Sequence, residues 1–384
     1  MLHVTSATID LDALRHNALA VRSLTGSRAV LVPVKADAYG HGAVPVSRFL
    51  EAERLADWLG VATAPEAIAL RDAGLELPVL KMSLSFAEEL PALLGLANVA
   101  LTVGDARTID DAEAAAARAG VTCQVHLAVD TGMRRVGCEP ADAVAMARRI
   151  ASCQHLALQG IGTHLPISDV ADDGGFTDDE LARFRAVVAS IQDDRAAAGL
   201  PPVSFVHSAN SGGVLGHGLD GITMVRPGIM MYGYYPDATT PRPVALRPVM
   251  TLTSRVTYVK QVPAGQTVSY GRTWTAPRTT WIATVPVGYA DGYSRLNSNQ
   301  GAMLINGRRC PIAGRVCMDF TMVDLGPAGE PPAQVGDAVT WLGSDGDQSI
   351  TADDIAHIMG TISYEVLCLA GPRVPRQYVD VDPI

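Results

Sequence analysis

The sequence is poor in aromatic and charged side chains, and it has no excess of positive charge. Of its 384 residues, aromatic residues make up 5% and charged residues 18%, and the formal net charge is −10. Binding of nucleic acid generally needs a basic face that neutralises phosphates, so this balance argues against a nucleic-acid partner. It remains compatible with a local pocket for one small anion.

The six cysteines form no Cys-x-x-Cys pair, and no histidine lies near them at the spacing of a zinc site. In a chain of this length, scattered cysteines indicate reduced thiols in the cytoplasm rather than a disulfide framework. No basic segment followed by an apolar run begins the chain, so no signal peptide is expected. No apolar run approaches the ~18 residues of a membrane-spanning helix. We therefore expect a cytoplasmic protein without a metal and without a membrane partner.

Apolar residues are abundant, at 48% of the chain, which is enough for a large core. The length favours two domains, because single hydrophobic cores rarely grow beyond ~250 residues. Up to about residue 230, apolar β-branched runs alternate with alanine-rich amphipathic stretches. The candidate strands are 29–36, 58–63, 78–82, 99–103, 123–130, 156–165, 203–209 and 221–227, and helical stretches between them include 10–24, 64–73, 105–119, 140–152 and 178–198.

Eight strand–helix repeats predict an α/β fold with a parallel sheet, and eight strands are the number that closes a (β/α)8 barrel of the TIM type. A doubly wound open sheet is the alternative that the pattern leaves open. At the start of the last long helix, Thr177 is followed by three acidic residues. This predicts an N-cap at Thr177 with acids in the first turn, where they favour the helix dipole.

A group of prolines marks a change in the character of the chain, at Pro236, Pro241, Pro243 and Pro248. Short alternating runs follow at 249–259, 281–287, 302–305, 316–324 and 338–342. Between two of them, Asn306-Gly307 is a strong hairpin signal. We predict that residues 10–238 form the barrel and that residues 239–384 form a mostly β domain.

Charged and polar groups follow the apolar residues at five of the predicted strand ends. They are Lys35, the pair Arg134 and Arg135, His164, the pair Asn210 and Ser211, and Arg226. Because function in a parallel barrel collects at the carboxyl ends of the strands, we expect these side chains to share one rim. Taken alone, Lys35 could be a member of a buried ion pair or an amine that reacts with a carbonyl, and the pattern leaves both open.

The segment that starts at Lys35, Lys-Ala-Asp-Ala-Tyr-Gly-His-Gly, resembles the lysine motif of the alanine racemase family. Similar stretches follow in family order through both halves of the chain. They are 130–135 (DTGMRR), 163–164 (TH), 207–211 (HSANS), 224–233 (MVRPGIMMYG), 268–271 (VSYG), 288–293 (GYADGY), 314–319 (GRVCMD) and 362–365 (ISYE). The ordered series, rather than any one match, identifies the chain as a member of this family.

The resemblance implies a pyridoxal-phosphate enzyme in which Lys35 forms a Schiff base with the cofactor. It also implies that residues 1–9 join the C-terminal β domain and that the protein is a homodimer with shared active sites. Racemisation needs two opposed acid–base groups, which the resemblance assigns to Lys35 and to Tyr270 of the partner subunit. The implied substrate is alanine, with serine or a broader range of amino acids as the alternative.

The resemblance further implies which residues surround the cofactor and the substrate. Those implied for the cofactor are Tyr39, His164, Asn210, Ser211, Arg226, Gly228, Ile229 and Tyr364. Arg226 would face the pyridine nitrogen, to which a guanidinium donates without protonating it. Arg135 and the backbone amide of Met318 would hold the substrate carboxylate. Tyr289, Cys317 and Asp319 would line the entrance or lie behind it.

The chain departs from the family pattern close to Arg135. Many relatives carry a carbamate-modified lysine that orients this arginine, and here the position is Ala128. Alanine has no group that could orient a guanidinium, so we hypothesise another support, such as a bound anion. Arg134 stands where the family usually has glycine, and an acidic loop at residues 169–173 follows His164.

Two other functions on related scaffolds are alternatives to a racemase. One is a decarboxylase of the same two-domain architecture, and the other is a non-enzymatic protein that carries pyridoxal phosphate. Tyr270, which suits a second proton-transfer face, argues against both. Among the remaining histidines, His207 could be a core residue or a site residue, whereas we interpret His126 as structural.

Overall fold

A computed structural model describes residues 4–327 and 329–380 of the chain. The chain divides into two compact units, the first of which contains Leu14–Ala38 and Ala43–Arg247. The second contains the described residues up to Ala13, then Tyr39–Gly42, and those from Pro248 onward. The boundary predicted after residue 238 stays a prediction, and residues 1–3 and 381–384 of the predicted β domain lie outside the described residues.

The first unit is built on a ring of eight parallel strands, β2 to β9, after strand β1 (Ser6–Asp10) of the other unit. They are β2 (Ala29–Pro33), β3 (Trp58–Val61), β4 (Val79–Lys81), β5 (Val99–Val103), β6 (Cys123–Ala128), β7 (Leu156–Gly162), β8 (Phe205–His207) and β9 (Met224–Val225). Each pairs with the next from β2 to β8, and β9 pairs with β2. The Arg226 amide donates to the Ala209 carbonyl at 2.8 Å, which joins the last two strands. The predicted barrel is therefore confirmed, and the open-sheet alternative is wrong.

Helices cover the barrel strands, and each amphipathic helix buries its apolar stripe. In this unit they are Leu11–Thr25 (which begins in the other unit), Ala43–Ala52, Ala64–Asp72, Leu90–Leu94, Ala106–Ala119, Ala143–Ser152, Phe176–Ala197 and Ser211–Gly216. Thr63 and Asp105 each begin a helix with a capping box, in which a side chain satisfies an amide of the first turn. Within the described residues, none of the helices has the length and apolarity that a membrane crossing requires.

The start of the longest helix differs from the prediction. It begins at Phe176, after Gly175 in a left-handed conformation, so the predicted N-cap at Thr177 is wrong. The Asp173 carboxylate accepts from the amides of Gly175 and Thr177, both at 2.8 Å, and so provides the missing cap. As a consequence Thr177 and Glu180 lie inside the helix and are fully buried.

The second unit is mostly β, as predicted. Its other strands are β10 (Met250–Arg255), β11 (Tyr258–Val262), β12 (Thr267–Val268), β13 (Trp274–Thr275), β14 (Thr280–Val285), β15 (Ala302–Ile305), β16 (Arg308–Pro311), β17 (Thr321–Pro327), β18 (Ala338–Asp345), β19 (Gln348–Ile350) and β20 (Arg376–Val379). The larger sheet has the order β16-β15-β18-β10-β1-β20, and a smaller one has the order β11-β14-β17. Asn306 and Gly307, both with positive φ, form the predicted hairpin turn between β15 and β16. Helices Ala352–Met359 and Ser363–Cys368 complete this unit.

The residues directly after Lys35 form a left-handed turn. Ala36, Asp37, Ala38 and Tyr39 have φ angles between 52° and 55°, a region that costs L-residues about 1–2 kcal/mol each. Hydrogen bonds hold the turn in place. The Ala36 amide donates to Glu66 Oε1 at 2.7 Å, and Asp37 Oδ1 accepts from the Ala43 amide at 2.8 Å. Such strain persists only where the surroundings impose it, as at functional sites.

We predict that Ala36→Gly leaves the free energy of unfolding unchanged or raises it by up to about 1 kcal/mol, since glycine removes a left-handed penalty that exceeds its entropic cost. The matched control is Ala114→Gly, an exposed alanine in the right-handed helix Ala106–Ala119. This control should lose about 1 kcal/mol. Urea unfolding of both variants measures the difference, and equal losses would contradict the left-handed turn.

Candidate active site

The predicted rim residues of the barrel gather around His164. Burial, and then the positive charges of Arg226, Arg135 and Lys35, lower the pKa of His164 to about 3. These residues come from the ends of four different strands, as the position of each after an apolar strand predicts. The imidazole is therefore neutral at physiological pH. It lies among three positively charged side chains, an arrangement that would suit an anionic ligand.

Arg226 is the buried centre of this group, at 8% exposure. It donates to the Thr163 carbonyl at 2.7 Å and to His164 Nδ1 at 3.3 Å. A guanidinium has only donors, so His164 Nδ1 is the acceptor and Nε2 carries the proton. Burial, and then the neighbouring charge of Arg135, lower the pKa of Arg226 to about 10. Arg226 therefore stays a cation near neutral pH.

A chain of hydrogen bonds runs from Arg226 into the barrel interior. Arg226 donates to His207 Nδ1 at 2.6 Å, His207 Nε2 lies 2.9 Å from His126 Nδ1, and His126 Nε2 lies 3.4 Å from Gln159 Oε1. Because the arginine can only donate, each neutral histidine accepts at Nδ1 and donates at Nε2. Burial lowers the pKa of His126 to about 4 and that of His207 well below its ordinary value.

Two glycines of β7 leave room for these rings. A Cβ at Gly160 would lie 2.4 Å from His126 Nδ1, and one at Gly162 would lie 2.2 Å from His207 Cε1. His207 thus combines both interpretations that the sequence left open, because it is a satisfied core histidine whose hydrogen bond holds Arg226. His126 packs against Trp58 and Phe205.

Ser211 lies where two turns of the chain meet. Its buried hydroxyl accepts from the amides of Gly228 and Met230, at 2.9 Å and 3.3 Å. Ile229 is fully buried and begins the short turn after Gly228. A hydroxyl beside a glycine and successive backbone amides is the donor set that phosphate oxygens prefer. These three predicted phosphate ligands are therefore brought together.

Asn210 is engaged differently from its neighbour Ser211. Its Oδ1 accepts from the Gly213 amide at 3.0 Å and from Ser168 Oγ at 2.8 Å. Its amide nitrogen donates to the Leu165 carbonyl at 3.1 Å. The side chain caps the helix Ser211–Gly216 and anchors the loop that follows His164, and its role as a direct cofactor ligand stays a prediction.

Arg135 lies exposed in the loop between β6 and Cys138. The Ala128 carbonyl accepts from the Cys138 amide at 3.0 Å, and this bond closes the base of the loop. Its neighbour Arg134 pairs with Glu139, but within the described ranges no carboxylate forms an ion pair with Arg135. The hypothesis that a bound anion supports this arginine stays a hypothesis.

A second cluster gathers predicted residues within the mostly β unit. Tyr270 follows Ser269, whose hydroxyl lies 3.6 Å from the Cys317 thiol. The Cys317 carbonyl accepts from the Tyr289 amide at 3.0 Å. Tyr270 is 70% exposed and Met318 is 52% exposed. Tyr270 and Met318 therefore present exposed side chains on this unit.

The remaining predicted residues also lie in this unit. Asp319 pairs with Arg373 at 2.9 Å, and Arg373 reaches the buried Asp291 at 3.3 Å. Tyr39 and Tyr364 lie with their ring centroids 6.0 Å apart. Burial, and then the neighbouring Cys368, raise the pKa of Tyr39 above its ordinary value. Its hydroxyl therefore stays protonated and can donate.

Comparison with known proteins agrees with this geometry. The family model "Alanine racemase, N-terminal domain" matches residues 9–236, and "Alanine racemase, C-terminal domain" matches residues 249–378. The chain belongs to the alanine racemase family. It is 47% identical, over 97% of both chains, to the alanine racemase of Cutibacterium acnes. The family predicted from the motifs is therefore confirmed.

Solved structures of this family have the same fold. The alanine racemase of the D-cycloserine-producing Streptomyces lavendulae matches with a TM-score of 0.88 and 35% identity, over 99% of this chain and 98% of that one. The alanine racemase of Streptomyces coelicolor A3(2) matches with a TM-score of 0.86 and 36% identity, over 98% of both.

Two contacts that organise the site were missed by the sequence analysis. Glu66 holds the backbone after Lys35, and Thr163 supplies the carbonyl that Arg226 contacts. The spacing from Thr63 to Glu66 is that of a capping box, which predicts the helix start. Nothing in the sequence predicts that the same carboxylate also reaches the amide of Ala36.

We predict that the neutral His164 makes the protein sensitive to acid. Its pKa falls from 6.5 in the unfolded chain to about 3 in the folded one, so below about pH 6.5 only the unfolded chain takes up this proton. The free energy of unfolding therefore decreases as the pH falls from about 6.5 to about 3. His164→Asn should reduce the slope in this window by up to roughly one proton.

Urea unfolding at a series of pH values measures the slope. The control is His357→Asn, at an exposed histidine of the other unit. An unchanged slope in His164→Asn would mean that His164 already carries a proton in the folded protein.

Proposed function

We propose that this protein is a pyridoxal-phosphate-dependent alanine racemase that interconverts L-alanine and D-alanine by a two-base mechanism. The observation that carries the proposal is the gathering of Lys35, Arg135 and Arg226 around the neutral His164. Membership of the alanine racemase family supports it. A cationic rim at the strand ends suits a phosphorylated cofactor and a substrate carboxylate, and Lys35 is the amine at that rim.

The residues present fit the cofactor. Ser211, Gly228 and Ile229 lie together at a buried turn, where they would hold the phosphate, and Tyr39 and Tyr364 are further predicted ligands. When bound, pyridoxal phosphate supplies a conjugated ring that stabilises negative charge at the substrate Cα. Lys35 would bind it through Nζ.

Arg226 would donate a hydrogen bond to the ring nitrogen. With a pKa of about 10, it keeps its proton at neutral pH and so leaves that nitrogen unprotonated. Its guanidinium is oriented by His207, His164 and the carbonyls of Thr163 and Ser208, all of which accept from it. Arg135 and the amide of the partner's Met318 would hold the substrate carboxylate.

Two groups would move the proton at the substrate Cα from opposite faces. Lys35 Nζ serves one face, and the hydroxyl of Tyr270 of the partner subunit serves the other. A tyrosine needs a hydrogen-bonding or positive neighbour to act as a base, and His164 can donate to it from Nε2. Tyr270 is 70% exposed in the single chain, as expected for a residue that completes the site of a second copy. The protein would therefore act as a homodimer. The scattered cysteines of the sequence are the reason to expect it in the cytoplasm.

The preferred substrate would be alanine. Family resemblance assigns Tyr364 to the pocket beyond Cβ, where its ring would restrict larger side chains. The sequence after His164 departs from the family pattern, and its loop is anchored through Ser168 to Asn210. Serine is therefore the alternative substrate. A decarboxylase is less well supported, because Tyr270 offers the second face that racemisation requires.

Isotope exchange tests the reaction. The protein loaded with pyridoxal phosphate is incubated with L-alanine in deuterated water, and both enantiomers should appear with deuterium at Cα. Lys35→Ala should lose the visible absorbance of the bound cofactor and all exchange. Tyr270→Phe should retain exchange from one enantiomer only, since one face still has its base. Carbon dioxide release, or no exchange in the unaltered protein, would contradict the proposal.

The control for Tyr270→Phe is Tyr258→Phe, at another exposed tyrosine of the same unit. It should racemise alanine at the rate of the unaltered protein. The same assay with serine in place of alanine then ranks the two candidate substrates.

Mixing two variants that each lack racemase activity tests whether the active sites are shared. In a heterodimer of Lys35→Ala and Tyr270→Phe chains, one site would contain both changes and the other neither. Random exchange of subunits should therefore restore about a quarter of the original activity, because half of the dimers are mixed and half of their sites are intact. If each site took both residues from a single chain, mixing would restore none.

A further inference from the structure

Hydrogen bonds fix the backbone of the loop that carries Arg135, but Ala128 offers no side-chain group that could fix the arginine itself. Asp130 Oδ1 accepts from the amides of Gly132 and Arg134, both at 3.0 Å. The Asp130 amide donates to the Cys138 carbonyl at 2.9 Å. Since Ala128 offers no polar side chain, the direction of the arginine depends on how the loop itself is positioned.

Glu180, on the helix Phe176–Ala197, lies against this loop. It is fully buried, and its Oε1 accepts from Thr131 Oγ1 at 3.4 Å. A Cβ at Gly132 would lie only 2.1 Å from Oε1, so the carboxyl occupies the space that glycine leaves. One turn further along the helix, Arg183 donates to the Thr131 carbonyl. One face of this helix therefore contacts two consecutive loop residues.

A series of hydrogen bonds connects Glu180 with Arg226. Thr131 Oγ1 lies 2.7 Å from Thr163 Oγ1, and the Thr163 carbonyl accepts from Arg226 at 2.7 Å. Thr131 uses its one proton toward Glu180, so the Thr163 hydroxyl donates to Thr131. The carboxyl is thus the terminal acceptor of a hydrogen-bonded chain that joins the two loops.

Burial of the Glu180 carboxyl is unfavourable, and a purely structural role would not require a carboxyl at this position. Its Oε2 is buried and has no hydrogen-bond partner within the described residues. Burial raises the pKa of Glu180, opposed by Thr131 and Arg183, while Asp130 and Asp173 also face it and raise the pKa further. A buried, half-satisfied carboxyl costs stability that an apolar side chain of the same size would not.

We propose that Glu180 is a positioning residue for Arg135, which it holds in register with Arg226 through Thr131 and Thr163. In this way the helix Phe176–Ala197 would orient the loop that carries Arg135. The inference rests on the proposed function, in which Arg135 binds the substrate carboxylate. Loss of the carboxyl would then raise KM for the substrate by a larger factor than it lowers kcat.

Three variants of the protein loaded with pyridoxal phosphate test the inference. Glu180→Met keeps the volume but removes the acceptor, and it should raise KM for alanine by about tenfold, as expected for one misplaced charge-assisted contact, with a smaller change in kcat. Glu180→Gln keeps an acceptor of the same shape and should return KM to within about threefold of the original. Asp179→Asn, at the exposed neighbour on the same helix, should change neither.

A merely structural role predicts a different pattern. Glu180→Met would then lower the melting temperature and the active fraction while KM stayed the same, and this result would overturn the inference. If Glu180→Met does not fold, Thr131→Val decides, because it breaks the same chain and leaves the carboxyl in place. A folded Thr131→Val protein with an unchanged KM would overturn the inference equally.

Calorimetric titration with propionate separates the inference from the proposed function. Propionate has the carboxylate of alanine without its amine, so its binding requires no racemisation. Its affinity should fall in Glu180→Met by about the factor by which KM rises, and it should recover in Glu180→Gln. If the unaltered protein binds propionate in this way but does not racemise alanine, the proposed function fails and the positioning role stands. Equal affinity in all variants would overturn the positioning role.

Discussion

The burial of one guanidinium, that of Arg226, organises the active-site end of the barrel. A buried cation is tolerated only when its donors are satisfied, and Arg226 finds acceptors in His207, His164 and the Thr163 carbonyl. To accept, both histidines must be neutral, and burial together with the surrounding cations keeps them so. The glycines of β7 follow from the same requirement, since side chains there would collide with the rings. The buried guanidinium therefore determines the tautomer of both histidines, and burial together with its charge keeps them neutral.

The anchor of the proposed cofactor depends on a second constraint, which acts on the backbone. The left-handed turn after Lys35 is unfavourable for each of its residues, and contacts far along the chain maintain it. Glu66 lies 30 positions from the amide of Ala36 that it binds. A carboxylate that also caps its own helix thus fixes the chain directly after the lysine. The strained turn after Lys35 therefore depends on a tertiary contact, the hydrogen bond from Ala36 to Glu66.

The catalytic groups of the proposed reaction are divided between the two units. Lys35, His164 and Arg226 belong to the barrel, whereas Tyr270 and Met318 lie on an exposed face of the mostly β unit. Large apolar side chains on such a face are typical of a surface that another chain covers. In the proposed function, this face would complete the active site of a second copy.

The sequence by itself determined the α/β class, the mostly β unit and the family, because the order of apolar runs and the motif residues are local properties of the chain. Arg135, His164 and Arg226 were predictable for the same reason, as each follows a strand. Only the tertiary structure decided the left-handed turn, the helix start at Phe176 and the place of Glu180. The sign of a φ angle and the burial of a carboxyl depend on residues distant in sequence, such as Glu66 for Ala36 and Gly132 for Glu180, and no local pattern encodes them.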